Sequence, residues 1–198
     1  MKQQILIIHG GDSYISEEEY HKALQNRQLK LEWFRDGSSW KKSLQDVLGK
    51  EYDVLTPYFP LRENARYEEW KLVFEKLMKI VDEGVMIIGH SLGGMFIAKY
   101  LSENTASKKI NAVFIVAAPY AMNPPWSPEF DVPESLATFE QQVPHIFLYQ
   151  SKDDPLVSVE EVYKFERAVP SAEVRIFEDR GHFLGDSFPE IVDDITSL

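Results

Sequence analysis

Four stretches of this chain are almost continuously apolar: Ile5 to Ile8, Val85 to Ile88, Ile110 to Val116 and Ile146 to Tyr149. A strand with one wet face alternates apolar and polar side chains, so runs of this kind mark strands buried on both faces, the condition of a parallel sheet covered by helices. Tyr52 to Leu55 and Glu173 to Phe177 are weaker strand signals of similar length.

Helical spacing fills the intervals. Tyr67, Trp70, Phe74, Leu77 and Val81 recur three and four residues apart, as do Met95, Ala98 and Leu101 after Gly93 and Gly94. Val159, Val162, Phe165 and Val169 predict a helix that starts near Ser158 and stops before Pro170, and Ile191, Val192 and Ile195 predict a terminal one. Strand and helix signals in alternation predict an α/β fold, a mostly parallel central sheet flanked by helices.

Two regions interrupt this alternation. Residues 12–49 are long for one crossover and predict two helices, Glu17 to Leu31 and Ser39 to Leu48, around Arg35-Asp36-Gly37. Residues 119–143 carry Pro119, Pro124, Pro125, Pro128 and Pro133, which predicts an irregular excursion. With 198 residues, 44% of them hydrophobic, and no internal repeat, the chain is expected to form a single domain over 1–198.

Charge and composition exclude several roles. A net charge of -11 opposes binding to nucleic acid or to anionic membranes. Lys30, Arg35, Lys41 and Lys42 form the one basic concentration and read as solvated helix faces. The absence of cysteine removes thiol chemistry, disulfides and cysteine-rich metal sites. The apolar run after Met1-Lys2-Gln3-Gln4 is too short for a secretory core or a membrane span, so a soluble, cytoplasmic protein is expected.

The chemistry concentrates after the second apolar run, in Gly89-His90-Ser91-Leu92-Gly93. Strand, glycine-serine-glycine turn and helix start follow in the order a nucleophile elbow requires: small residues let the chain turn sharply, and the helix N-terminus faces the reacting serine. Ser91 needs a base. Of the five histidines, His182 in Asp179-Arg180-Gly181-His182-Phe183 is favoured, because it follows the last strand signal in a glycine-containing connection. His90 is too close to Ser91 along a tight turn to serve and is expected to pack or hydrogen-bond, while His9 is placed to brace a neighbouring loop. The orienting acid is expected after the strand at Ile146, where composition leaves both Asp153 and Asp154 open.

These segments, with His9-Gly10-Gly11 after the first strand, resemble an α/β-hydrolase, in particular the small, nearly lidless serine hydrolases of the retinoblastoma-binding-protein-9 and YdeN-like group. The resemblance extends over almost the whole chain. It implies Asp154 as the acid, through an Asp-x-x-Val pattern ending at Val157, and His182 as the base. It also implies an oxyanion hole formed by the Leu92 N–H and by Gly11 or Asp12, and the absence of a bulky lid.

Such a site would attack an acyl carbon and pass through an acyl-enzyme, without cofactor or metal. The expected substrate is a small-molecule ester, small or uncharged, with Tyr14 and Trp126 as pocket residues. Trp33, Phe34, Trp40, Met95, Phe96, Met122 and Phe130 are further aromatic and methionine positions. Pro57-Tyr58-Phe59-Pro60 reads as scaffold. Arg62, Glu63 and Arg66 read either as solvated charges or as a site for an anionic substrate end. Amidase, thioesterase or acyltransferase chemistry on the same residues, or a protein-interaction role on a hydrolase scaffold, are the alternatives; no protein partner is indicated by sequence.

Overall fold

The computed structural model describes residues 2–31 and 39–198. Six strands form one sheet: β1 (Gln3–Ile8), β2 (Tyr52–Leu55), β3 (Val85–His90), β4 (Ile110–Val116), β5 (His145–Ser151) and β6 (Glu173–Phe177). Their order is β2-β1-β3-β4-β5-β6 and every pairing is parallel.

The unbroken apolar runs arise because successive side chains enter different cores. Leu6 and Ile8 of β1, Val85 and Ile87 of β3, and Ile146 and Leu148 of β5 join one cluster. Their neighbours Ile5, Ile7, Met86, Ile88, Phe147 and Tyr149 join the other. Both faces are covered, so neither can alternate with polar residues.

The first face is covered by α3 (Tyr67–Leu77), α4 (Leu92–Glu103), the short α5 (Ala137–Gln142) and α6 (Glu160–Ala168). Helix α4 is buried nearly all round, whereas α3 turns only the stripe Tyr67, Trp70 and Phe74 inward. The second face is covered by α2 (Trp40–Leu48), through Trp40, Leu44 and Leu48, and by α7 (Pro189–Thr196), through Ile191 and Ile195.

The helix expected over Glu17 to Leu31 is shorter. Helix α1 (Glu17–Asn26) is capped by Ser16 and buries no residue, so nothing beyond local propensity prolongs it. Arg27 leaves the helix to pair with Glu63 and Asp12. The Arg35-Asp36-Gly37 turn, Trp33 and Phe34 lie outside the described residues.

The excursion after β4 contains a 3-10 turn at Pro128–Phe130 and then α5. It is clipped to the loop after β1 by an antiparallel bridge between Tyr14 and Trp126, by Ser127 N–H donating to Ser13 O at 2.8 Å, and by the Ser13 hydroxyl donating to Glu129. No large lid domain stands over the sheet, and no helix is long and apolar enough to cross a membrane, among the described residues.

Strand β1 lies between β2 and β3, so connections leave it in opposite directions across the sheet. The C-terminal ends of the strands beside such a reversal open a crevice where α/β folds place their ligands.

Candidate active site

The elbow is built as its small residues require. Ser91 has φ +55° and ψ -122°, a conformation that costs about 1–3 kcal/mol for a residue with a side chain and is retained where the surroundings enforce it. Ser91 N–H donates to Val116 O at 2.8 Å, tying the turn to β4. Gly93 lets α4 press against β1: a Cβ there would lie 2.5 Å from Ile8 O and 2.7 Å from His9 O. Ser91 itself is only half-buried.

His182 is brought to this turn from the opposite end of the chain. It is 8% exposed and sits between two residues of positive φ, Gly181 and Phe183, which aim the ring back over the sheet edge. His90 Nε2–H donates to His182 O at 2.9 Å, and the two rings are 4.9 Å apart, so the residue beside Ser91 anchors the backbone of His182. Helix α2 holds the same loop from the other side, with Trp40 Nε1 donating to Phe183 O at 2.8 Å and Trp40 N–H to Gly185 O at 3.1 Å. Among the described residues no hydrogen bond joins Ser91 Oγ to the His182 ring, a looser spacing common in resting nucleophile–base pairs.

The geometry separates the two aspartates that composition left open. His182 Nδ1–H donates to Asp154 Oδ2 at 2.8 Å. Gln150 Nε2 also donates to Oδ2, at 3.2 Å, and Oδ1 accepts the Leu156 and Val157 N–H groups at 2.8 and 3.0 Å. Burial pushes the Asp154 pKa up, but the bonds from His182 and the two amides outweigh it and the net shift is downward. Asp153 instead ties the 180–181 turn to β5, accepting from the Ser151 hydroxyl at 2.5 Å and from Gly181 N–H at 2.8 Å.

Gly10 lies against the elbow: a Cβ on it would meet Ser91 Cβ at 3.0 Å. Its carbonyl accepts His9 Nδ1–H at 2.8 Å and Arg62 Nε–H at 3.2 Å, and His9 Nε2 accepts Phe59 N–H at 3.1 Å, which fixes the neutral tautomer of His9. In a trans peptide the following N–H points opposite to the carbonyl, so Gly11 N–H is directed away from Arg62 and His9. Asp12 N–H, the other donor the resemblance allowed, is engaged by Arg62 O at 2.9 Å.

Tyr14 and Trp126 come together, rings 4.7 Å apart, but Tyr14 is 4% exposed and also packs on Tyr20. The pair braces the loop after β1, a use of aromatic surface that sequence cannot tell from a pocket wall. Trp40, Met95, Phe96 and Phe130 are likewise buried in the cores, and Met122 packs partly against one. Phe59 is buried while Tyr58 is exposed. Gln150 supports the site without any sequence signal, while Trp40 and Arg62, singled out in the sequence for other roles, support it through contacts remote along the chain. Among the described residues no group of three His, Asp or Glu side chains is arranged to hold a metal ion.

Burial drives the pKa of His90 well below its ordinary value of 6.5 and lowers that of His9 as well. With both folded-state values depressed, the unfolded chain binds more protons below about pH 6.5, so this stability is complete above that pH and lost as pH falls. Each ring contributes a slope of at most about 1.4 kcal/mol per pH unit. Urea midpoints are expected to fall between pH 7.5 and 5.5, and His90→Gln is expected to remove the larger share of the decline. An unchanged slope in that variant would contradict the assignment.

The parallel sheet, the strained serine turn at the end of β3 and the crevice beside it define the α/β-hydrolase class. The chain belongs to the serine hydrolase family, whose family model matches residues 35–191. Its fold is similar to that of the ydeN gene product from B. subtilis, with a TM-score of 0.71 at 20% identity over 99% of this chain and 98% of that one. It is also similar to a YdeN-like hydrolase from Pectobacterium atrosepticum, with a TM-score of 0.64 at 15% identity, over 99% and 90%. The methylesterase MES16 from Arabidopsis matches with a TM-score of 0.62 at 12% identity, over 99% and 100%. No curated protein matches the sequence.

Proposed function

We propose that this serine hydrolase is a carboxylesterase for small acyl esters, with Ser91 as nucleophile, His182 as general base and Asp154 as the acid that orients it. The observation that carries the reading is the 2.8 Å bond from His182 Nδ1–H to Asp154, on a histidine whose carbonyl is anchored by the neighbour of Ser91. With Nδ1 protonated, Nε2 is left with its lone pair and can take a proton.

The chemistry follows from those roles. Ser91 Oγ bonds to the acyl carbon as its proton passes to His182 Nε2, and the ester carbonyl becomes an oxyanion. The donors are the N–H of Leu92, at the start of α4, and that of Gly11, since Asp12 N–H is already committed. The tetrahedral adduct collapses with cleavage of the ester C–O bond, and the leaving alkoxide takes the proton from His182. Water, deprotonated by the same ring, then releases the acid and restores Ser91. Every proton passes between Ser91, His182, the leaving alkoxide and water, so no cofactor is required.

A fluorophosphonate probe tests this reading. It is expected to attach to Ser91, located by mass spectrometry of the labelled peptide, with labelling lost in Ser91→Ala and strongly slowed in His182→Ala. Folded protein that stays unlabelled beside a reactive control esterase would overturn it.

A further inference from the structure

Lys41 is not the fully solvated charge that sequence suggests, and Arg62, although exposed, is tied by a hydrogen bond to the loop beside Ser91. Lys41 is half-buried, with its ammonium 5.4 Å from the centre of the Trp40 ring, and Trp40 is the residue bonded to the His182 loop. Arg62 is joined to the elbow through its 3.2 Å bond to Gly10 O, and Gly10 abuts Ser91. Lys41, on α2, and Arg62 thus stand near enough for their charges to act on each other and on His9 and His90, the latter adjoining Ser91.

Neither has a carboxylate within ion-pair distance among the described residues. Asp12, an acid near Arg62, turns its Oδ2 to Arg27 at 3.4 Å, and Glu63 also pairs with Arg27. Burial, then the charge of Arg62, push Lys41 down to about 8, and both cations depress His9 and His90. Holding like charges together with one partly desolvated is unfavourable, and an incoming anion offsets that cost.

We propose that Lys41 and Arg62 form an anion-recognition subsite beside Ser91, so that the preferred substrate is an ester bearing a carboxylate. The subsite rests on the esterase reading for its substrate class, and it refines the uncharged ester that Tyr14 and Trp126 suggested. Arg62 also orients the Gly10 peptide, so it is expected to couple anion binding to the oxyanion loop; Lys41 is the cleaner probe.

The test compares mono-4-nitrophenyl adipate with 4-nitrophenyl hexanoate near neutral pH. The ratio of their kcat/KM values is expected to fall about tenfold in Lys41→Gln, through KM of the anionic ester, and to be largely restored in Lys41→Arg. A ratio that Lys41→Gln leaves unmoved, with both esters turned over, would overturn the subsite and leave the esterase intact. Adipate binding to the Ser91→Ala protein, followed by calorimetry, needs no chemistry and is expected to weaken about tenfold when Lys41→Gln is added. If no ester is turned over and no probe attaches, the esterase reading fails, and adipate binding alone decides the subsite: binding that depends on Lys41 supports it, and absent or Lys41-independent binding overturns it.

Discussion

Ser91→Ala is expected to lower kcat/KM for a small nitrophenyl ester by about 10⁴- to 10⁶-fold, because in the proposed mechanism the Ser91 hydroxyl forms the acyl-enzyme. The fold should not share in that loss. Among the described residues Ser91 Oγ makes no hydrogen bond, and alanine adopts the φ of +55° at a cost similar to that of serine. A melting temperature within a few degrees of the parent, measured on the same preparation, separates lost chemistry from lost structure. Nucleophile and base act as a unit, so Ser91→Ala combined with His182→Ala should be scarcely worse than either alone. Residual turnover above about a hundredth of the parent rate would move the nucleophile elsewhere.

Asp154→Asn is expected to cost about 10³- to 10⁴-fold, and Asp153→Asn about tenfold or less. The difference lies in the hydrogen bonds. An asparagine at 154 keeps its carbonyl on the Leu156 and Val157 amides, which places its NH₂ group where Oδ2 now accepts His182 Nδ1–H and Gln150 Nε2. Two donors then face each other, His182 is driven to the Nε2–H tautomer, and it can no longer take the Ser91 proton. Asp153 holds the turn that carries the histidine, so its loss loosens position without inverting the tautomer. Steady-state kinetics of the two variants decides the matter, and a larger loss at Asp153 would exchange the roles.

The separation of Asp153 from Asp154, which the family resemblance implied, also shows what composition alone leaves open. Adjacent aspartates before Pro155 have the same composition and nearly the same neighbours. They diverge because successive side chains leave the backbone in different directions, one toward Ser151 and Gly181, the other toward Gln150 and His182. Tyr14 is a second instance. Its place beyond the end of β1 suggested a pocket, yet the bridge to Trp126 closes it into packing, and that bridge depends on residues more than a hundred positions apart.

The apolar runs and helical periodicities by themselves determined the strands, most of the helices and a sheet covered on both faces, because burial on two sides leaves a direct mark on local composition. The elbow at Ser91 was equally legible, since its tight turn and the close approach of α4 to β1 require particular small residues at particular places. Tertiary structure alone decided the hydrogen bonds that seat Asp154 against His182, that Trp40 and His90 hold the histidine loop, and that Lys41 stands near Arg62 with neither in an ion pair among the described residues. Those relations are distances between segments remote along the chain, and they come into being only when the parallel strands bring their C-terminal ends to one edge of the sheet.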